Sequence, residues 1–272
     1  MKKFIALAMA LVMSLALVAC TAPAASSGSA AASQPEVEAS DLEAIKAKGE
    51  MIIGYTVYEP MNYTDANGEF TGFDTELAIA VCEKLGVTPK FQEIVWETKE
   101  VELNAGTIDC VWNGMTITEE RQANMEITDP YVINAQVVVM LKDAAYENTA
   151  SLIGKNVCAE QGSAGQSTIE GDENLAQATF VPKTVQTDCL MEVAAGTCDA
   201  AVLDITLAKA MIGEGTDYAN LVIVDQLAEE FYGVAFRKGS DACAATNAAF
   251  GELAADGTMA ALAEKYNLTL AE

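Results

Sequence analysis

The sequence predicts an α/β protein of two lobes, each an open, mostly parallel sheet covered by helices, with a ligand cleft between them. Three observations carry this. From Ser40 onward short apolar runs alternate with segments of helical periodicity, and strand–helix–strand alternation implies parallel strands joined by helical crossovers. The alternation comes in two sets, one ending near Tyr131 and one starting near Gln136. The folded part spans about 230 residues, enough for two units of about 100–150 each.

In the first set, Ser40-Asp41-Leu42-Glu43 is a capping box opening a short helix that Gly49 stops. Met51 to Val57 reads as a buried strand, and Asp74 to Leu85 as a helix with Leu77, Val81 and Leu85 on one face. Lys90 to Trp96 is a strand, Glu97 to Ala105 a helix and Ile108 to Trp112 a strand. In the second set, strands fall at Gln136 to Leu141, Lys155 to Ala159, Thr179 to Pro182, Asp199 to Leu203 and Leu221 to Val224. Helices begin at Ser163, at Thr187 (read as capped) and at Ile205. Tyr232 to Arg237 is extended, and helices from Asp241 and Met259 finish the chain. Ligands of such sheets bind beyond the carboxyl ends of the strands, so two facing edges make a cleft.

The chain starts with Lys2 and Lys3, then an apolar run from Phe4 to Ala19, which reads as an export signal over 1–19. Leu17-Val18-Ala19-Cys20 resembles the lipobox of bacterial lipoproteins, in which the cysteine is lipidated and becomes the mature N-terminus. Residues 20–39 are then a lipidated Cys20 and a linker rich in Ala, Ser, Thr, Pro and Gly. No other stretch is long and apolar enough to span a bilayer. The expected location is extracytoplasmic, on a membrane through Cys20, in a periplasm or on the outer face of the cytoplasmic membrane.

The formal charge is −25, and more negative by two without Lys2 and Lys3. That acidity argues against a nucleic-acid partner, which needs clustered Lys and Arg. There is no histidine, which removes Ser-His-Asp triads and most zinc sites; no metal or cofactor is expected. Besides Cys20, six cysteines show no CxxC pairing and read as core residues. A Cys189–Cys198 disulfide stays open in an oxidising compartment.

Gly72-Phe73-Asp74-Thr75-Glu76-Leu77, continued through Val81, Cys82 and Leu85, resembles the signature of bacterial extracellular solute-binding proteins of the polar amino acid type, the receptors of ABC importers. Four further segments follow in the family's order. These are Gly106 to Cys110 with Asn113 to Arg121 and Thr128 to Tyr131; Gln161-Gly162-Ser163; Gly196 to Asp204; and Tyr232 to Gly239 with Asp256-Gly257-Thr258. The resemblance covers Met51 to Tyr266. It implies two Rossmann-like lobes with a hinge, the periplasmic binding protein type II arrangement. Lobe 1 would be 40–132 plus 233–272, and lobe 2 135–230.

A free amino acid carries a carboxylate and an ammonium on one carbon, so its receptor needs a cation and an anion on a rigid frame. Arg121 matches the family's carboxylate-binding arginine, and a guanidinium fork suits that geometry. The Gly114 backbone and the Thr116 hydroxyl would complete the cradle, and Asp204 matches the ammonium-binding aspartate. Capping of the helix from Ile205 is the competing explanation for Asp204. Asp109 and Asp199 read as structural residues at strand starts, and Trp112 as core.

Tyr58 and Trp96 match wall positions, while Tyr55, Asn113 and Glu160 fall where the family tunes side-chain choice. Tyr55 departs from the acidic residue common in receptors for basic ligands, and Glu160 could restore an acidic contact. Backbone N–H groups of Gly162 and Ser163, at a helix start, could hold a carboxylate from the opposite lobe. The segment lacks the terminal Gly-Lys-Ser/Thr of a phosphate loop.

The function implied is a substrate-binding lipoprotein that closes two lobes on a polar amino acid and presents it, as a monomer, to the permease subunits of an importer. It is not expected to be an enzyme. The alternative is a dehydratase-type enzyme acting on an amino acid-like substrate, a chemistry found on the same fold. A sensing module of a signalling protein is the third reading, disfavoured by the lack of a C-terminal membrane or kinase segment.

Overall fold

In the computed structural model, which describes residues 40–272, Ser40 caps the first helix, making the serine half of the expected capping box. Ser40 Oγ accepts from the Glu43 N–H at 3.0 Å, and helix α1 runs Asp41–Lys48. The leader, Cys20 and the linker lie outside the described residues.

The first half continues with strand β1 (Glu50–Tyr55), a small hairpin of β2 (Tyr63–Thr64) and β3 (Phe70–Thr71), helix α2 (Phe73–Leu85) and β4 (Thr88–Glu93). Helix α3 (Lys99–Ala105), β5 (Cys110–Thr116), α4 (Glu119–Asn124) and β6 (Met125–Ile127) follow. The second half has β7 (Val132–Leu141), β8 (Asn156–Glu160), α5 (Ala164–Gly171), β9 (Thr179–Lys183), α6 (Gln186–Ala194), β10 (Ala200–Asp204) and α7 (Ile205–Met211). Strand β11 (Leu221–Arg237) and helices α8 (Ala242–Ala255) and α9 (Thr258–Tyr266) close the chain. Among the described residues no helix is long and apolar enough to cross a membrane.

The strand order is β4-β1-β5-β11-β7-β10-β8-β9, with β6 pairing β11. β1 is parallel to both its neighbours, and so is β8. The centre differs from two separate sheets, because β7 and β11 are long strands, antiparallel to each other, that join the halves. β11 also differs from the two short strands read from sequence. Residues 225–231 hold no Gly or Pro to break the run, and they stay paired to β7 through two register shifts, between Ile223 and Asp225 and between Gln226 and Glu229.

Helical spacing on α2 puts Phe73, Leu77 and Val81 fully inside, against a cluster holding Trp112, Tyr131 and Phe250. Trp112 meets Phe250 edge-on at 5.7 Å, which fits its reading as core. A second cluster joins Val138, Val157 and Val202 under α5, and a third joins Ile94, Trp96 and Leu103. The six described cysteines are buried and free, so Cys189 and Cys198 are unbridged. Asp109 and Asp199 do the same job in the two halves. Each accepts a backbone N–H from a neighbouring strand, from Ile52 at 2.7 Å and from Asn156 at 2.9 Å.

Candidate functional site

The C-terminal ends of β5, β8 and β10 meet the middle of β7 and β11, and the polar side chains converge there. Arg121 sits in α4, whose start is fixed by Thr118 Oγ1 accepting the Arg121 N–H at 3.2 Å. Its guanidinium is buried, yet it bonds only backbone carbonyls, Thr116 O at 2.7 Å and Gly162 O at 3.3 Å. No carboxylate among the described residues lies within 4.0 Å of it. Burial pulls its pKa down, while the more distant Glu230 and Asp204 hold it up. Trp96 lies under it, with the guanidinium carbon 5.9 Å and Lys99 Nζ 4.8 Å from the ring centre.

Lys99 is the second cation. It donates to Trp96 O at 3.3 Å and to Gly162 O at 3.1 Å. Burial, then repulsion from Arg121, lowers its pKa to about 8. Across from the two cations stands Glu160, at the end of β8 and 4% exposed, its Oε1 without a hydrogen-bond partner. Burial, then the Asp204 charge, raises its pKa to about 8.

Asp204 precedes α7 but does not cap it with its side chain. Its Oδ1 accepts from Asn134 Nδ2 at 2.7 Å and from Gln136 Nε2 at 2.6 Å, and its Oδ2 accepts from Gln186 Nε2. The capping explanation for this residue therefore fails, since the carboxylate turns into the site. Gln186 itself lies where a helix cap was expected near Thr187. Instead α6 starts at Gln186 with no side-chain cap, and the Gln186 amide serves Asp204.

The remaining expected residues divide into two groups. Thr116 points in, and its hydroxyl donates to Glu230 Oε1 at 2.8 Å. Tyr58 also points in, its hydroxyl bonding Tyr232 at 2.5 Å and Thr206. Gly114 has φ +55°, and a Cβ there would stand 2.8 Å from Tyr58 and 3.0 Å from Tyr232, so only glycine fits. The Gly114 N–H is not free for a ligand, because Asp74 Oδ2 takes it at 2.6 Å while Tyr131 donates to the same carboxylate.

The N–H groups of Gly162 and Ser163 are engaged too, with Gln166 Oε1 at 2.8 Å and Glu160 O at 3.2 Å. Ser163 Oγ caps α5 through the Gln166 N–H. What Gly162 offers Arg121 and Lys99 is its carbonyl. Asn113 spends its amide on Thr56 and Asn62, and Tyr55 packs on Phe70 and Phe91.

Sequence reasoning missed Lys99, Asn134, Gln136, Gln186, Thr206, Glu230 and Tyr232. One signal was available: Asn134 and Gln136 are two apart in an apolar strand, so both face one side. The other five are identified only by strand and helix pairing.

This geometry, a buried cation without a carboxylate partner among the described residues and facing buried carboxylates at the waist of an open α/β sheet, is that of a receptor for small zwitterionic solutes. Residues 51–269 match the model of bacterial extracellular solute-binding proteins, family 3, and the chain belongs to that family. The arginine-binding extracellular protein ArtP of Bacillus subtilis (strain 168) is 28% identical over 80% of this chain and 86% of its own length. An ABC uptake transporter substrate-binding protein from Streptococcus pneumoniae, solved with bound histidine, is 28% identical with TM-score 0.77, covering 84% of this chain and 96% of that one. The ancestral amino acid-binding protein AncCDT-1, described as a precursor of cyclohexadienyl dehydratase, is 31% identical with TM-score 0.75, covering 84% and 99%.

Proposed function

We propose that this chain is the substrate-binding lipoprotein of an ABC importer and that its ligand is a free polar amino acid. The observation that carries the reading is Arg121, buried and without a carboxylate partner among the described residues. A buried cation is costly unless an anion meets it, and a ligand carboxylate is the anion this site lacks. Asp204, with both oxygens held by side-chain amides, is the partner for the ligand's ammonium. Trp96 and Tyr58 are its apolar walls and Thr116 a polar contact. Glu160 and Lys99 face the side chain of the ligand, a pair of opposite charge that suits a polar group.

Binding brings 40–132 plus 233–272 and 135–230 together as two lobes, with β7 and β11 as hinge. Contacts across that boundary support it: Arg121 and Lys99 to Gly162 O, and Gln161 Nε2 to Glu97 Oε1 at 2.7 Å. Water is excluded on closure, which strengthens both charge pairs. Cys20 carries the lipid that holds the protein, a monomer, at the outer face of a membrane, and the closed form is what the permease subunits recognise.

The test is a melting-temperature screen of the purified protein, freed of co-purified ligand, against the twenty amino acids with Arg121→Ala as control. A ligand of the folded state raises the melting temperature. A rise with one or a few polar amino acids, lost in the variant, is expected. No rise with any would sink the amino acid reading. The dehydratase reading has one observation in its favour, the buried Glu160 carboxyl whose Oε1 has no hydrogen-bond partner among the described residues; burial raises its pKa, which leaves it an acid near neutrality. Turnover of an amino acid-like substrate, lost in Glu160→Gln, would favour it.

A further inference from the structure

Glu230 is not among the proposed ligand contacts, yet its carboxylate lies at the centre of the site. It stands on β11, where the strand crosses between the halves, and is mostly buried. Its Oε1 accepts from Asn134 Nδ2 at 2.6 Å, Gln136 Nε2 at 2.8 Å and Thr116 Oγ1 at 2.8 Å. The first two donors are also those that hold Asp204 Oδ1. Two carboxylates are thus bridged by the same two amide groups. Beside them Gln136 Oε1, in a residue 1% exposed, has no hydrogen-bond donor among the described residues.

We propose that Glu230 is a second ligand of the bound ammonium group, paired with Asp204 across the side chains of Asn134 and Gln136. The inference rests on the amino acid reading of the site and adds to it a proton. Neighbouring buried carboxylates resist double ionisation. Burial first, then the Asp204 charge, raises the Glu230 pKa to about 7, against the pull of its three hydrogen bonds. Arg121 is the cation that faces it. The Tyr58 and Tyr232 hydroxyls beside it stay neutral, since burial and these same carboxylates raise their pKa values. Glu160 acts on Asp204 from the end of β8, with Lys99 beyond it. An ammonium placed between Asp204 and Glu230 favours both as carboxylates. Glu230 then loses its carboxyl proton to solvent, while the ligand keeps all its N–H bonds. Binding therefore releases a proton and tightens as pH rises toward 7.

The test is calorimetry with L-arginine and L-glutamine, whose side chains do not titrate between pH 5 and 8, in buffers of different ionisation enthalpy. The proton released by the native chain beyond that released by Glu230→Gln should be a substantial fraction of one near pH 6 and almost none above about pH 8. The native chain's affinity should rise several-fold over that interval, up to about tenfold per pH unit where release is complete. Glu230→Gln should lose that release and bind at least about tenfold more weakly than the native chain at pH 8, but nearly equally at pH 5. Carbon-13 labelling of the Glu carboxyl groups gives an independent reading in the native chain, needing no variant. One resonance should titrate near 7 without ligand and move to lower pH with it.

Release unchanged by the substitution, or tighter binding by Glu230→Gln at every pH, would overturn the role of Glu230 alone. Failure of all twenty amino acids to bind would overturn the reading beneath it, and the ammonium role with it.

Discussion

Gln186 and Asp204 hydrogen-bond to each other in both directions. The Gln186 amide NH2 donates to Asp204 Oδ2, and the Asp204 N–H donates to Gln186 Oε1 at 3.0 Å. This double contact turns the carboxylate away from the helix start it precedes and holds it in one rotamer in the site. Gln186→Leu keeps the volume and removes both bonds. We expect affinity for the bound amino acid to fall by roughly tenfold, the equivalent of one hydrogen bond to a charged group of about 1.5 kcal/mol. Calorimetry on the variant checks this.

Arg121→Ala should lose more. Removing one member of a buried charge pair costs about 2–5 kcal/mol of binding, so a loss of at least about thirtyfold is expected. In the absence of ligand the same variant should melt no lower than the native protein, because the arginine is a buried cation without an anionic partner among the described residues. A large loss of stability would assign Arg121 to the scaffold instead.

Gly114 is a backbone requirement at the site. Its positive φ and the closeness of Tyr58 and Tyr232 both oppose a Cβ. Gly114→Ala should destabilise the protein by about 1–3 kcal/mol, read by denaturant unfolding. It should also weaken ligand binding through displacement of Tyr58.

Three buried carboxyl groups make the ligand-free protein less stable as pH rises through neutrality. Asp74 is raised to about 7, Glu160 to about 8 and Glu230 to about 7, burial being the first cause in each. Above about pH 4.5 the unfolded chain has lost these protons while the folded chain keeps them, so stability falls as pH rises from about 5 to 8. Ligand-free protein should melt higher at pH 5.5 than at pH 8. In the opposite direction, Glu76 and Glu192 are lowered, by Lys265 and Lys183 respectively, and their stabilisation fades below about pH 4. A melting temperature that rises steadily from pH 5 to 9 would contradict these three raised values.

Much of the fold was legible because its elements are long enough to show a period. The Leu77–Val81 face of α2, the runs at β7 and β10, and the capping box at Ser40 needed no tertiary information. The hairpin β2–β3 and strand β6 are two or three residues each, too short for any period, and they exist only because a neighbour pairs with them.

The candidate site divides in the same way. Arg121 and Asp204 lie in segments of recognisable pattern. Gln186 and Glu230 act through partners 18 and 94–114 residues away, and nothing local in the sequence distinguishes them from surface residues. Asn113, Gly162 and Ser163 showed the converse. Their motif marked the place, but their hydrogen bonds hold turns together.

The long last strand also sets an order of assembly. β5 has β1 on one side and β11 on the other, and α2 is covered by α8 and α9. Val132 bridges to Leu270, and Ser40 to Asp241. The half of the protein made first therefore cannot finish its sheet or its core until the final forty or so residues have been synthesised, because those contacts span nearly the whole chain. The middle half meets its partners in turn as it emerges. A chain stalled before α8 should thus hold an ordered second half beside an incomplete first one, with the Arg121 side of the cleft the last to form.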